Sequence, residues 1–151
     1  MPVGKLIKLY ADTETECNGT DEDWIKLSYG RRKIGLRKKR NGRCIFLSDD
    51  MRCGVYEARP MSCRIFPVDI LLDEDNRVIG FELSDIVRKK FVNCNHSYGK
   101  AIPFKNFRRT ARQARDESET YREKVRRWNE TSPDGRNKSD FLAFLGFETV
   151  V

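Results

Sequence analysis

Between residues 104 and 128, apolar and small side chains recur at alternating steps of three and four: Phe104, Phe107, Ala111, Ala114, Ser118, Tyr121, Val125 and Trp128. With 3.6 residues to a turn, that spacing puts all eight on one narrow face of a helix of about seven turns. Pro103 suits its opening and Ser132-Pro133-Asp134-Gly135 its end. A rod with one apolar face must be covered, so the rest of the chain is constrained to supply a surface for it. Beyond the stop, Ser139 is positioned to cap a short apolar helix, "DFLAFLG".

Upstream, the pattern shortens. "KLIKLY" reads as a strand, and "TDEDWIKLSYG" as one or two helical turns, with Thr20 as cap and Asp21, Glu22 and Asp23 at the positive end of the helix dipole. Asn41-Gly42 signals a hairpin with "KIGL" and "CIFL" as its arms. "YEARPMSCRIFP" reads as a compact turn with one helical turn, opened by Pro60 at its first position and closed by Pro67. "VDILLDEDNRVIGFEL" is a second hairpin turning at "DEDN". The expected class is α+β: an irregular, cysteine-bearing centre with short β-hairpins, followed by a long C-terminal helix and a short helix. The chain divides as a single domain, with residues 1–28 as an N-terminal segment, 29–102 as the cysteine core and 103–151 as a helical extension.

Composition enters at the question of what holds the centre together. Only 38% of the 151 residues are apolar and 35% are charged, which is lean for a packed globule, so a staple would help. No stretch of 18 or more apolar residues spans a membrane, and the apolar part of "MPVGKLIKLYADTETE" is too short for a signal-peptide core. The reading is a cytoplasmic protein, in which five cysteines stay reduced and a disulfide framework is not expected.

The cysteines then become candidate metal ligands. Cys44, Cys53 and Cys63 fall within "GRCIFLSDDMRCGVYEARPMSCRIFP", and Cys94 follows in "FVNCNHSYGK". Four thiolates suffice for a tetrahedral zinc site or a cubane iron–sulfur cluster, although small buried cysteines can produce the same dispersed spacing. The neighbours favour metal. Arg43, Arg52, Arg59 and Arg64 each lie within four residues of a cysteine, where they offset thiolate charge, and Gly54 lets backbone approach the sulfurs.

These residues resemble the signature of the YkgJ-type cysteine-cluster family, described as zinc- or iron-chelating. Cys44, Phe46 and Leu47 match its first element. Cys53, Val55, Tyr56, Glu57, Arg59, Pro60, Cys63, Arg64, Phe66 and Pro67 match the second, and Cys94 ahead of Gly99-Lys100 resembles the third. The likeness runs over roughly residues 29–107. It implies a metal centre, an iron–sulfur cluster or Zn2+, on Cys44, Cys53, Cys63 and Cys94. Arg59 and Arg64 would neutralise charge, Tyr56, Phe66 and Pro67 would shield the site, and Glu57 would orient an arginine. The family's dense opening cluster, of the C-x3-C-x2-C-C kind, has no counterpart here, since Cys17 stands alone in "TECNGT". Either that cluster is lost or the chain's true start lies upstream of Met1. A related cluster in flagellin lysine N-methylases makes an accessory role in redox or methyl-transfer chemistry, with a protein or redox partner, an analogy only.

Little else points to catalysis. His96 is the sole histidine and a candidate substitute ligand, so hydrolytic triads lack support; no nucleotide-binding glycine motif occurs. The net charge of +7 is uneven: residues 31–64 carry eleven Lys/Arg against three Asp/Glu, and residues 88–138 fifteen against six. Arg108, Arg109, Arg112, Arg115, Arg126 and Arg127 lie on the outer surface of the long helix. They suit either a solvated face or contact with nucleic acid. A zinc-stapled basic module binding nucleic acid or protein, without catalysis, is the alternative reading.

Overall fold

The computed structural model describes residues 3–14, 21–85, 104–131 and 136–147. The elements are α1 (Val3–Leu6), β1 (Ile7–Tyr10), β2 (Ile25–Leu27), β3 (Gly30–Leu36), α2 (Met61–Ile65), β4 (Val68–Leu72), β5 (Val78–Leu83), α3 (Phe104–Glu130) and α4 (Lys138–Phe144). Small antiparallel sheets joined to a long helix and a short one make the α+β class. Two compact units are present: Met1–Tyr56 together with Thr120–Val151, and Glu57–Glu119.

In the first unit, β3 is the central strand of a three-stranded sheet in the order β1-β3-β2. Ile7 pairs with Leu36 on one side, and Ile25 with Arg32 on the other. Gly35 leaves room for the Tyr10 ring: a Cβ there would come within 3.1 Å of it, and the ring's hydroxyl donates to the Leu36 carbonyl at 2.7 Å. The acidic run predicted to start a helix instead forms a single 3-10 turn, Asp21–Asp23, and "IKL" continues as β2. Ile25 and Leu27 alternate with exposed Lys26, a period of two that buries both apolar residues.

What covers this sheet is the C-terminal part of the chain. Ile25, Leu27, Val125, Trp128 and Phe141 form one buried cluster, with Leu9, Ile34, Tyr121 and Leu145 packed around it. The Trp128 and Phe141 rings meet edge-on at 5.1 Å. The face of α3 in this unit therefore covers the sheet and α4. Trp128 also donates its indole N–H to the Lys26 carbonyl at 2.8 Å. Asn129 accepts from the Lys26 N–H and donates to the Trp24 carbonyl, both at 2.8 Å. The start of α4 is capped by Asn137 rather than Ser139: its side chain accepts from the Ser139 and Asp140 N–H groups while Asp140 accepts from the Asn137 N–H. Asparagine fits because its short carboxamide reaches those two N–H groups, completing a capping box.

In the second unit, β4 and β5 form the predicted hairpin, with a bulge between Leu71 and Leu72. The "DEDN" turn is held by Asp73, whose carboxylate accepts from the N–H groups of Asp75 and Arg77 at 3.0 and 2.8 Å. The first half of α3 packs here: Phe107 meets Phe81 edge-on at 4.7 Å, and Arg115 donates to the Asn76 carbonyl at 2.8 Å. Ala111 and Ala114 are buried, whereas Ser118 is exposed and interrupts the stripe. Pro103, the 132–135 stop, Cys17, Cys94 and His96 lie outside the described residues.

Candidate metal centre

Cys44 and Cys53 belong to the loop that follows β3. The predicted turn at Asn41-Gly42 is present: Gly42 takes a φ of 78°, donates to the Lys39 carbonyl, and the Lys39 N–H reaches the Arg43 carbonyl. The arms of this turn are shorter than the sequence suggested. Lys38 and Cys44 make one isolated bridge, after which the chain turns at once, with the Leu47 N–H donating to the Cys44 carbonyl at 3.1 Å. Within "CIFL" the Ile45 N–H still reaches back to the Arg37 carbonyl at 3.1 Å, but the turn from Cys44 to Leu47 keeps the segment from extending as a strand.

Leu47 then forms a second isolated bridge with Cys53, and the Gly54 N–H donates to the Phe46 carbonyl at 2.8 Å. Between them, Ser48 clamps a tight loop. Its backbone N–H donates to the Arg52 carbonyl at 2.9 Å, while its hydroxyl accepts from the Arg52 N–H at 3.1 Å and shares its one proton between the Asp50 carboxylate and the Arg52 carbonyl. The Ser48 hydrogen bond, opposed in part by desolvation, holds the Asp50 carboxyl below its ordinary range. Both cysteines are half-buried with unbridged thiols, held by backbone bonds in a segment where residues 28–60 contain no buried side chain.

Cys63 sits in α2, the one-turn helix expected from "PMSCRIFP". Pro60 occupies the position just before the helix rather than its first turn, and its carbonyl accepts from the N–H groups of Cys63 and Arg64. The Cys63 thiol is exposed. Arg64 folds back over the preceding 3-10 turn, donating to the carbonyls of Glu57 at 2.5 Å and Arg59 at 3.0 Å. Its partner at Glu57 is the backbone, not the carboxylate. Tyr56 and Phe66 are 59% and 54% exposed. One cation escaped the sequence reading. The Lys39 ammonium donates to the Leu47 carbonyl, beside the Cys53 bridge, a position supplied by the turn and invisible in local spacing.

Thiol donors suit zinc or iron, but no group of three or more His, Cys, Asp or Glu stands ready to hold a metal ion among the described residues. None of the described helices is long and apolar enough to cross a membrane.

A family model described as "Putative zinc- or iron-chelating domain" (CxxCxxCC) matches residues 5–82, just over half of the 151-residue chain. The chain belongs to this family. The match begins earlier than the signature suggested, taking in β1, β2 and Cys17, and it ends within β5, before Cys94. No curated protein and no solved structure matches the chain.

Proposed function

We propose that the chain binds zinc or an iron–sulfur cluster through the thiolates of Cys44, Cys53, Cys63 and Cys94. The observation that carries this reading is the chelating-domain match over a segment holding three unbridged, at least partly accessible thiols. Metal sites of this kind form together with the fold around them, because thiolates are deprotonated and gathered by the ion itself. When bound, the metal supplies Lewis acidity or, as a cluster, one-electron chemistry. The chain's own residues stiffen the backbone on which the thiols are carried: Ser48 and Lys39 around Cys53, and Arg64 over the turn before Cys63. Arg59 is a further cation beside that turn, Tyr56 and Phe66 offer ring surface against water, and Glu57 contributes its carbonyl. The redox or methyl-transfer accessory role belongs to this proposal, with a protein as its partner.

Anaerobic purification of the full chain followed by metal and acid-labile sulfide analysis tests it. The expected result is about one zinc per chain, or iron with matching sulfide, lowered severalfold in Cys53→Ala and Cys63→Ala. A folded chain carrying neither metal, and taking up none after reconstitution, would overturn the reading.

A further inference from the structure

Residues 86–115 contain nine Lys/Arg and no Asp or Glu. Within the described part of that run, Lys105, Arg108, Arg109 and Arg112 are all exposed on α3 and frame a shallow hollow of about 360 Å³. Steps of three and four put them on one helix face, spread over about 10 Å of the axis.

Among the described residues, no carboxylate forms an ion pair with these four cations. Cations in the first turns oppose the helix dipole, and like charges at i,i+4 (Lys105 with Arg109, Arg108 with Arg112) repel. Arg108 makes one long hydrogen bond, 3.4 Å to the Val78 carbonyl. Among the described residues, Lys105, Arg109 and Arg112 make no ion pair. Arg115, on the next turn, pairs with Asp116 at 2.6 Å, and further along Arg126 pairs with Glu123. Among the described residues, the four cations of this ridge thus lack the carboxylate neighbours that Arg115 and Arg126 have, and an anionic partner would supply them.

The geometry points to the phosphate backbone of duplex nucleic acid as the occupant, and we propose that this ridge docks against it. Three of the four cations are arginines, whose planar guanidinium forks fit phosphate oxygens. Four cations along about 10 Å exceed what one free phosphate can satisfy, and match a polymer carrying a charge every few ångströms. The described side chains on this face include no apolar residue that could enter a membrane, because Phe107 is packed on Phe81 and Ala111 and Ala114 are buried. The described side chains on this face include no aromatic platform for unstacked bases either, which disfavours single strands. Contacts of this kind position the chain on the duplex without reading its sequence.

The test is fluorescence anisotropy of the full chain with a mixed-sequence DNA duplex of about 20 base pairs, titrated with salt. Arg109→Ala/Arg112→Ala should weaken binding about tenfold or more at low salt and reduce the salt slope by about two. The charge-keeping Arg109→Lys/Arg112→Lys should retain the slope. Lys124→Ala/Arg127→Ala, which removes the same net charge from the exposed second half of α3, should stay within about twofold of the parent. Circular dichroism should show the same helix content in all of them. Equal losses in the two alanine pairs would overturn the proposal. So would a single strand of equal length binding more tightly, or polyglutamate or anionic vesicles competing as well as the duplex. Metal content has no bearing on this outcome, so it stands or falls separately from the chelation reading.

Discussion

The cluster around Trp128 and the loop carrying Cys44 and Cys53 are organised on opposite principles. The first buries Ile25, Val125 and Phe141 completely and Trp128 to 1% exposure. Its stability comes from apolar area removed from water, at roughly 25 cal/mol per Å². The second buries no side chain fully and is held by backbone bridges and the Ser48 clamp, each worth only about 1 kcal/mol net. A core needs nothing added, whereas a loop of that kind gains most from an ion that its thiols can share. The lean composition of the chain is thus concentrated where the cysteines are.

Metal removal should separate the two regions most sharply. Structural zinc contributes on the order of 10 kcal/mol in small domains that fold around it. In a metal-loaded chain, chelator should abolish hydrogen-exchange protection of the Leu47 and Gly54 amides and leave that of Ile25 and Leu27 nearly unchanged. Equal loss in both regions would mean that one cooperative unit includes the core, and the contrast would fail.

Next in size is damage to the core. Phe141→Ala removes a fully buried ring and should cost about 3–5 kcal/mol in denaturant unfolding, whether or not metal is present. If metal loading rescued it, the two regions would be coupled more tightly than their packing suggests.

The smallest effect concerns Tyr121. Its buried hydroxyl finds no hydrogen-bond partner among the described residues. Desolvation, with the Asp23 carboxylate adding to it, raises the phenol well above its ordinary value. An unfolded tyrosine ionises near pH 10 while the folded one stays neutral, so its contribution is complete below about pH 10 and is lost as pH rises beyond it. Tyr121→Phe should change stability at neutral pH by less than about 1 kcal/mol and flatten the alkaline decline. A large loss at neutral pH would reveal a partner for the hydroxyl.

Local, periodic features were readable in the sequence. The α3 stripe, the "DEDN" hairpin, the Asn41-Gly42 turn and the one-turn helix at Cys63 all rest on chemistry within a few residues. The strand Ile25–Leu27 was not, because its acidic approach mimics a helix start and its burial depends on Trp128 and Phe141, more than a hundred residues away. Asn137 and Ser139 are both good caps, and only the reciprocal bond from Asp140 decides between them. For the candidate centre, the cysteine signature was explicit. The Lys39 contact at Leu47 was hidden because it exists only once the turn has closed.

The placement of Asn129 has a consequence for how the molecule behaves in a crowd. Strand β2 lies at the margin of its sheet, where unpaired peptide groups would invite a strand from another molecule. Here the Trp24 carbonyl and Lys26 N–H are taken by the Asn129 carboxamide, the Lys26 carbonyl by the Trp128 indole, and the Ser28 N–H by the Arg136 carbonyl. The Asn129 carboxamide, with the Trp128 indole and the Arg136 carbonyl, thus imitates a neighbouring strand, and this edge of the sheet is closed to a strand from another molecule.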